Sequence, residues 1–210
     1  MQQYRNILVN GFKTLDISVT ESQLDQLLAY HALLMKWNKA YNLTAVRDPL
    51  EMVSRHLVDS LTILPYMRGE NLLDVGCGGG LPGIVIAIMN PDRKMTLLDS
   101  NGKKTRFCQQ VKMELKLANL SVEHSRLENY QPEQLHDCIT SRAFATLKDM
   151  VEKSVSCCAP DGYYLAMKGR YPEEEISELP GNISVENIYS VKTSAQAEAR
   201  HLVVLKQNTN

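Results

Sequence analysis

The chain has 210 residues, 44% of them hydrophobic, which is enough for one sizeable core. It carries 23 Lys and Arg against 24 Asp and Glu, a formal net charge of -1, and this balance excludes a disordered or strongly basic protein. Near-neutrality leaves a nucleic-acid partner open, because binding requires a local basic face and not a basic total. We therefore expect one globular domain with a short appendage.

The cysteines and the hydropathy pattern bear on the cellular compartment of the protein. The five cysteines stand at positions 77, 108, 138, 157 and 158, without a C-x-x-C pair. The first residues lack the pattern of a signal peptide, and no apolar run approaches the roughly 20 residues of a membrane span. The five histidines have no metal-ligand spacing. We expect a cytoplasmic protein with reduced thiols, no membrane contact and no metal.

The first third of the chain has helical signals. Residues 20–23 have the form of a capping box, and the apolar stripe after them predicts a helix over about 21–38. Asp48, Pro49 and Glu51 form a second helix start, followed by apolar residues to about 64. We expect residues 1–66 to form a helical extension that packs on a core domain of residues 67–210.

From residue 71 onwards, short apolar runs alternate with stretches of helical length, which is typical of βαβ units and a parallel sheet. The strand candidates are 71–75, 95–99, 120–123, 137–141, 162–167, 185–191 and 201–206. The helix candidates between them are 81–90, 103–118, 146–158 and 172–178. These elements predict an α/β fold with a mostly parallel, seven-stranded sheet.

A glycine-rich loop follows the first of these strands. Gly76, Gly78 and Gly80 lie between the strand and a helix, where backbone N–H groups can approach a ligand closely. Asp99 ends the next strand and is suitably placed to accept hydrogen bonds from a ribose diol. The pattern predicts a nucleotide-like ligand, with a glycine-rich turn without a ligand as the alternative.

Two cofactors fit this loop. Gly78, Gly80 and Gly83 satisfy the dinucleotide pattern G-x-G-x-x-G. Asp74, two residues before Gly76, would repel a pyrophosphate and attract the ammonium group of S-adenosylmethionine, so the loop favours S-adenosylmethionine over NAD. The sequence contains no P-loop, no G-x-S-x-G elbow and no H-E-x-x-H, which removes common NTPase and hydrolase signatures.

Several separate stretches of the chain resemble one family. They are Tyr41-Asn42-Leu43-Thr44-Ala45-Val46, Arg55-His56-Leu57-Val58-Asp59-Ser60, residues 73–83 with their Leu81-Pro82-Gly83 ending, Leu97-Leu98-Asp99-Ser100, Ser141-Arg142-Ala143 and Arg200-His201-Leu202-Val203-Val204. On these stretches the chain resembles the RsmG (GidB) family of bacterial small-subunit ribosomal RNA methyltransferases. The resemblance runs over nearly the full chain.

The resemblance implies a class I, Rossmann-like methyltransferase fold. It also implies transfer of a methyl group from S-adenosylmethionine to N7 of one guanine, at position 527 in the 530 loop of 16S ribosomal RNA, with S-adenosylhomocysteine as product. The substrate would be the small subunit or its assembly intermediate, and we expect a monomer. The family's cofactor contacts would fall on Gly76, Leu81, Leu127, Glu128 and Arg142, in addition to Asp74, Gly78, Gly80 and Asp99 from the loop pattern.

Methylation at N7 constrains the residues near the base. N7 has a lone pair and no hydrogen, so no general base is required, and positioning in a dry site can supply catalysis. Because the product is cationic, carboxylates or carbonyls are expected near the base and basic groups on phosphates. The candidates for substrate positioning are Arg142, Lys168 and Arg200, and those for RNA contact are Arg126, Lys168, Arg200 and His201. Structural ion pairs or solvated charges are the alternatives.

Some alternatives stay open at the level of sequence. Arg55 and His56 either face RNA or belong to the helical extension only, and Cys77 is a loop-filling residue or a reactive thiol. A methyltransferase acting on another RNA or a small molecule is the second candidate function. A module that senses S-adenosylmethionine without transfer is the third. An NAD-linked dehydrogenase is disfavoured by Asp74 and by the lack of a Tyr-x-x-x-Lys pair.

Overall fold

The computed structural model describes residues 1–142, 144, 146–191 and 200–208. Its strands are β1 (Asn71–Val75), β2 (Lys94–Asp99), β3 (Leu120–His124), β4 (His136–Ser141), β5 (Cys158–Lys168), β6 (Ile183–Val191) and β7 (Arg200–Gln207). Its α-helices are α1 (Gln2–Thr14), α2 (Glu21–Tyr41), α3 (Pro49–Met52), α4 (Asp59–Leu61), α5 (Gly83–Met89), α6 (Gly102–Glu114), α7 (Leu147–Ser154) and α8 (Glu173–Ser177). A six-residue π-helix, Val53–Val58, joins α3 to α4.

The seven strands form one sheet in the order β3-β2-β1-β4-β5-β7-β6. Strands β1 to β5 pair in parallel, whereas β7 pairs antiparallel with both β5 and β6. The strand order reverses between β1 and β4, and in open α/β sheets ligands bind at the carboxyl ends of the strands beside such a reversal. The predicted α/β fold with a mostly parallel sheet is confirmed.

The element boundaries differ from the sequence expectations at several ends. Strand β5 begins four residues earlier than expected, because Cys158 pairs with His136 before a register shift. The predicted helix 103–118 ends as α6 at Glu114, since Lys116 takes a left-handed backbone with φ of 54°. The helix expected over 146–158 ends at Ser154, where a 3-10 turn leads into β5.

The N-terminal helices begin at the polar residues that the sequence singles out. Thr20 caps α2 in a complete capping box with Gln23, and α2 continues three residues beyond its expected end to Tyr41. Asp48 caps α3 by accepting hydrogen bonds from the N–H groups of Leu50 and Glu51. Helix α1 has no side-chain cap at Met1, so no local signal marks its start. The expectation of a helical N-terminal segment is confirmed.

These N-terminal helices pack on one face of the sheet. Buried residues such as Leu8 of α1 and Leu34 of α2 share one hydrophobic cluster with Ile86 of α5 and Leu97 of β2. Gly11 of α1 lies against the π-helix, so closely that a Cβ there would be 2.8 Å from Val58 Cγ2. The opposite face has its own cluster, to which α7 contributes. Among the described residues, no helix combines the length and apolar character of a membrane span.

Candidate functional site

The loop after β1 is fixed to β2 by backbone and side-chain hydrogen bonds. The Gly76 N–H donates to the Leu98 carbonyl at 2.8 Å. The Asp99 carboxylate accepts from the Gly78 N–H at 2.9 Å and from the Asn101 N–H at 2.8 Å. Asp99 is thus held by both the glycine loop and the start of α6, and its orientation is set before any ligand arrives.

A cavity of about 340 Å³ opens over this loop at the carboxyl ends of β1, β2 and β3. Gly76 has φ of 68°, which favours glycine, and a Cβ built on it would meet no atom within 4 Å, so the backbone here faces open space. The described residues that line the cavity are Val75, Gly76, Leu98, Asp99, Ser100, Ser125, Arg126, Leu127, Glu128 and Phe144. We refer to it as the loop cavity.

The lining of the loop cavity fits the expected cofactor. Asp99 supplies carboxylate oxygens that can accept hydrogen bonds from a ribose diol, and Glu128 lies on the same wall. Leu98, Leu127 and Phe144 offer apolar surface suited to a planar base. The free space over Gly76 leaves room for the remainder of an adenosine-type ligand. Gly76, Asp99, Leu127 and Glu128 are therefore brought together as the sequence suggests.

The expected contacts on the buried side of the loop have a different environment. Asp74 is fully buried and its Oδ2 accepts a hydrogen bond from the Gly83 N–H at 2.9 Å. Burial raises the pKa of Asp74 to about 7, so its attraction for a cation is weaker than the sequence suggests. Gly80 and Leu81 are also buried, and neither lines the loop cavity. A direct cofactor contact from these three residues stays a prediction.

Cys77 is only 2% exposed. Its contact with Cys108 and its burial raise its pKa well above the usual value for a thiol. A neutral, inaccessible thiol is a poor nucleophile. The structure therefore favours the loop-filling interpretation of Cys77 over the reactive one.

A second cavity, of about 210 Å³, lies at the carboxyl ends of β4 and β5 and the start of β7. Four of the predicted basic residues meet there: Arg142, Lys168, Arg200 and His201. The N-terminal helical segment contributes Arg55, His56, Asp59 and Thr62 to the same wall. We refer to it as the basic cavity. Arg126, the remaining RNA candidate, lines the loop cavity instead.

Arg142 connects the sheet edge to the π-helix. Its Nη1 donates to the Arg55 carbonyl at 3.3 Å and lies 3.8 Å from Asp59 Oδ2. The same Nη1 is 3.3 Å from Nδ1 of His56. Burial and the Arg142 charge lower the pKa of His56 to about 4, which keeps the imidazole neutral at physiological pH. Arg55 and His56 therefore line the basic cavity, and their contact with RNA stays a prediction.

The other basic residues have distinct partners. Arg200 Nε lies 3.3 Å from Asp59 Oδ1, so Asp59 stands between two guanidinium groups. Lys168 is paired with Glu175 of α8, with Nζ 2.7 Å from Oε2. Because Glu175 also accepts a hydrogen bond from the Leu147 N–H at 2.7 Å, Lys168 is fixed to the start of α7. Ala143 of the Ser-Arg-Ala stretch lies outside the described residues.

Sequence reasoning missed several lining residues, and two of them, Asp59 and Phe144, matter for the chemistry of the cavities. Asp59 is 5% exposed and is the only acid among the described residues that line the basic cavity. Phe144 lies in the loop cavity next to the expected adenine contact. Asp59 lies in the Arg55–Ser60 stretch, roughly one helical turn after Arg55. This spacing is the only local signal for Asp59.

Comparison with known proteins identifies the family of this chain. The family model described as rRNA small subunit methyltransferase G (GidB) matches residues 23–203. The chain belongs to this family. The proteins named ribosomal RNA small subunit methyltransferase G from Ectopseudomonas mendocina (strain ymp) and Pseudomonas aeruginosa (strain LESB58) are 53% and 51% identical. The alignments cover 99% and 98% of this chain and 98% and 97% of the relatives. The predicted family and the predicted enzyme class, a methyltransferase, are confirmed.

Solved structures show the fold independently. The N-methyltransferase NodS from Bradyrhizobium japonicum WM9, in complex with S-adenosylhomocysteine, aligns with a TM-score of 0.56 at 17% identity over 86% of this chain and 98% of its own. TrmN from Thermus thermophilus aligns with a TM-score of 0.59 at 15% identity, over 81% of this chain and 53% of its own. The class I methyltransferase fold expected from the sequence is confirmed.

Proposed function

We propose that this chain transfers a methyl group from S-adenosylmethionine to N7 of guanine 527, in the 530 loop of bacterial 16S ribosomal RNA. Family membership supports the reaction class. The observation that carries the proposal is that two cavities lie along one edge of the sheet, either side of the β1–β4 reversal. One fits a nucleoside cofactor, and the other is rimmed by cations that suit an RNA.

The loop cavity is the place for the cofactor. Asp99 accepts from the ribose, and Leu127 with Glu128 and Phe144 borders the adenine. When bound, S-adenosylmethionine would supply the methyl group of its sulfonium, and the neutral thioether of S-adenosylhomocysteine would leave without needing a proton. The chain's own residues orient this ligand, and the hydrogen bonds that fix Asp99 to Gly78 and Asn101 reduce the entropy lost on binding.

The basic cavity is the place for the guanine and its neighbouring phosphates. Since N7 carries a lone pair and no proton, no side chain has to act as a base, and neutral His56 is not needed for proton transfer. The residues of this cavity therefore act by positioning N7 and excluding water. Arg200, His201 and Lys168, at the ends of β7 and β5, are suited to backbone phosphates.

The setting of the reaction follows from the same proposal. The enzyme acts as a monomer in the cytoplasm on the small subunit or its assembly intermediate, with Arg126 at the outer rim of the loop cavity as a further RNA contact. All five cysteines are thiols, which supports a reducing compartment. The division into an extension of residues 1–66 and a core of residues 67–210 is part of the proposal. It is supported by the placement of the N-terminal helices on one sheet face.

The test is transfer of labelled methyl from S-adenosylmethionine to purified small subunits that lack N7 methylation, followed by chemical cleavage at 7-methylguanosine. We expect one labelled guanine, in the 530 loop. Transfer only to another RNA or to a small molecule would support the alternative methyltransferase and contradict this substrate. Cofactor binding without transfer to any acceptor would support the sensor module.

A further inference from the structure

The carboxylate of Asp59 is the group in the basic cavity whose role the proposed function leaves unexplained. It lines the cavity while only 5% exposed. Its Oδ1 forms an ion pair with Nε of Arg200, whereas its Oδ2 accepts no hydrogen bond from any described residue. A carboxylate oxygen that lines a cavity with unused lone pairs points to a ligand that donates hydrogen bonds.

Two arginines hold this carboxylate in place. Arg142 Nη1 lies 3.8 Å from Oδ2 and Arg200 Nε lies 3.3 Å from Oδ1. Burial raises the pKa of Asp59, and the two guanidinium charges oppose this rise, which favours the ionised form. The cavity thus presents a carboxylate acceptor, Asp59, between two guanidinium donors, Arg142 and Arg200. This pattern is complementary to a ligand edge on which hydrogen-bond donors lie next to an acceptor.

Guanine has such an edge, and the chemistry at N7 determines which edge is available. Arginine commonly recognises guanine by donating to O6 and N7 together. In a reaction at N7 that contact would occupy the lone pair that has to attack. Recognition must then come from the Watson–Crick edge, where N1–H and N2–H donate and O6 accepts. A carboxylate can accept from two adjacent donors at once, and Asp59 is the only acid among the described lining residues.

We infer that Asp59 is the residue that selects guanine, by accepting hydrogen bonds from N1–H and N2–H while Arg142 donates to O6. This rests on the proposed function, because N7 has to stay free only if it is the reacting atom. The carboxylate also lies near a base that becomes cationic, so it stabilises the charge that develops during transfer. Adenine, with an acceptor at N1, would place a lone pair against the carboxylate and is rejected.

The experiment compares guanosine with inosine, which lacks the N2 amino group, at the target position of reconstituted small subunits. Single-turnover methyl transfer is measured for the wild-type protein and for Asp59→Ala and Asp59→Asn, with the exposed Asp92→Ala as matched control. We expect the wild type and the control to methylate guanosine about tenfold or more faster than inosine, as for loss of one hydrogen bond to a charged group. In Asp59→Ala, transfer to guanosine falls and the two substrates become equal.

The outcomes separate a base contact from a structural ion pair. If Asp59→Ala is slower but keeps the wild-type preference for guanosine, Asp59 only positions the arginines and the inference is wrong. If the wild type itself does not distinguish the two bases, the inference is also wrong, whatever the variants do. If the wild type methylates no small subunit at all, the proposed function fails and the inference falls with it. Calorimetric binding of S-adenosylmethionine shows that each variant is folded.

Discussion

The Arg142 guanidinium at the end of β4 lies 3.3 Å from Nδ1 of His56, which is 86 residues earlier in the chain. The same Nδ1 lies 3.1 Å from the Arg55 carbonyl, and Nε2 lies 2.7 Å from the Thr44 hydroxyl, so both ring nitrogens of His56 have polar neighbours. The N-terminal helical segment and the end of β4 therefore form the basic cavity together.

This contact predicts a change in the titration of His56. Replacing Arg142 by Ala removes a cation that lowers the pKa of His56, so that pKa should rise from about 4 towards its ordinary 6.5. Arg142→Lys, which keeps the charge, should give a smaller rise. Proton NMR titration of His56 measures the effect. Replacement of the exposed Arg106 of α6 by Ala is the control. An unchanged titration in Arg142→Ala would show that the two groups do not interact in solution.

Asp99 should be required for cofactor affinity. Asp99→Asn keeps one carbonyl oxygen but loses the second acceptor that holds Gly78 or Asn101, and it removes a negative charge from the wall of the loop cavity. We expect S-adenosylmethionine to bind about 10- to 100-fold more weakly, as for loss of a charge-assisted hydrogen bond. Isothermal calorimetry measures the affinity, with Asp92→Asn as control. Equal affinity in Asp99→Asn would place the ribose elsewhere.

Two glycines offer a matched test of packing under the loop. A Cβ on Gly83 would lie 2.2 Å from Leu97 Cδ2 and 2.8 Å from Asp74 Oδ2, whereas a Cβ on Gly181 would meet nothing within 4 Å. Gly83→Ala should therefore lower the free energy of unfolding by about 1–3 kcal/mol. Gly181→Ala should change it little. Urea unfolding measures both, and equal stabilities would contradict the close packing of α5 on β1 and β2.

The buried Asp74 predicts a pH dependence of stability. Its folded pKa of about 7 exceeds the ordinary 3.8, so the folded chain keeps a proton that the unfolded chain releases. The free energy of unfolding should then fall as pH rises between these values, by at most about 1.4 kcal/mol per pH unit, and level off above about pH 7. Asp74→Asn should lack this component, which urea unfolding from about pH 5 to about pH 8 can measure. Parallel curves for the two proteins would show that Asp74 has an ordinary pKa.

A second substitution of Asp74 tests its role in cofactor binding. We expect Asp74→Ala to abolish affinity for S-adenosylmethionine, because Asp74 holds the Gly83 N–H at the end of the glycine loop. Calorimetry on the folded variant decides this. Unchanged binding would remove Asp74 from the cofactor site.

Arg200 should affect RNA and not the cofactor. It lines the basic cavity beside Asp59, on the other side of the strand reversal from Gly76 and Asp99. We expect Arg200→Ala to bind S-adenosylmethionine normally and to methylate small subunits about tenfold more slowly, with a weaker dependence on salt. If the folded variant lost cofactor binding, Arg200 would have to be reassigned to the cofactor site.

Much of the fold could be predicted because its signals are local. Strand β1 is found at its expected bounds, since a buried apolar run ends in the glycines that follow Val75. The helix caps at Thr20 and Asp48 are likewise readable from neighbouring residues. The bounds of helix α1 could not be predicted, because Met1 provides no side-chain cap. The packing of this helix against the π-helix is a long-range contact that no local pattern indicates.

The site could be predicted only in part. Gly76 and Arg142 directly follow strands and Asp99 ends one, so the rule that strand ends meet at one edge predicts that all three lie along that edge. The environment of Asp59 depends on Arg142 and Arg200, which come from two segments distant in the chain. No local sequence pattern indicates such packing. The burial of Asp74 and its hydrogen bond from the Gly83 N–H, nine residues later, are not visible in the local sequence, and its contact with the cofactor stays a prediction.

The close contact between Gly11 and Val58 has a consequence for substrate choice. Val58 precedes Asp59 directly, so the backbone that carries the selecting carboxylate rests on helix α1, which lines neither cavity in the described structure. A larger side chain at Gly11 requires a shift of α1 or of Val58, the residue next to Asp59. The outer helix is thus a position from which base selectivity can be altered remotely, without contact with either reactant.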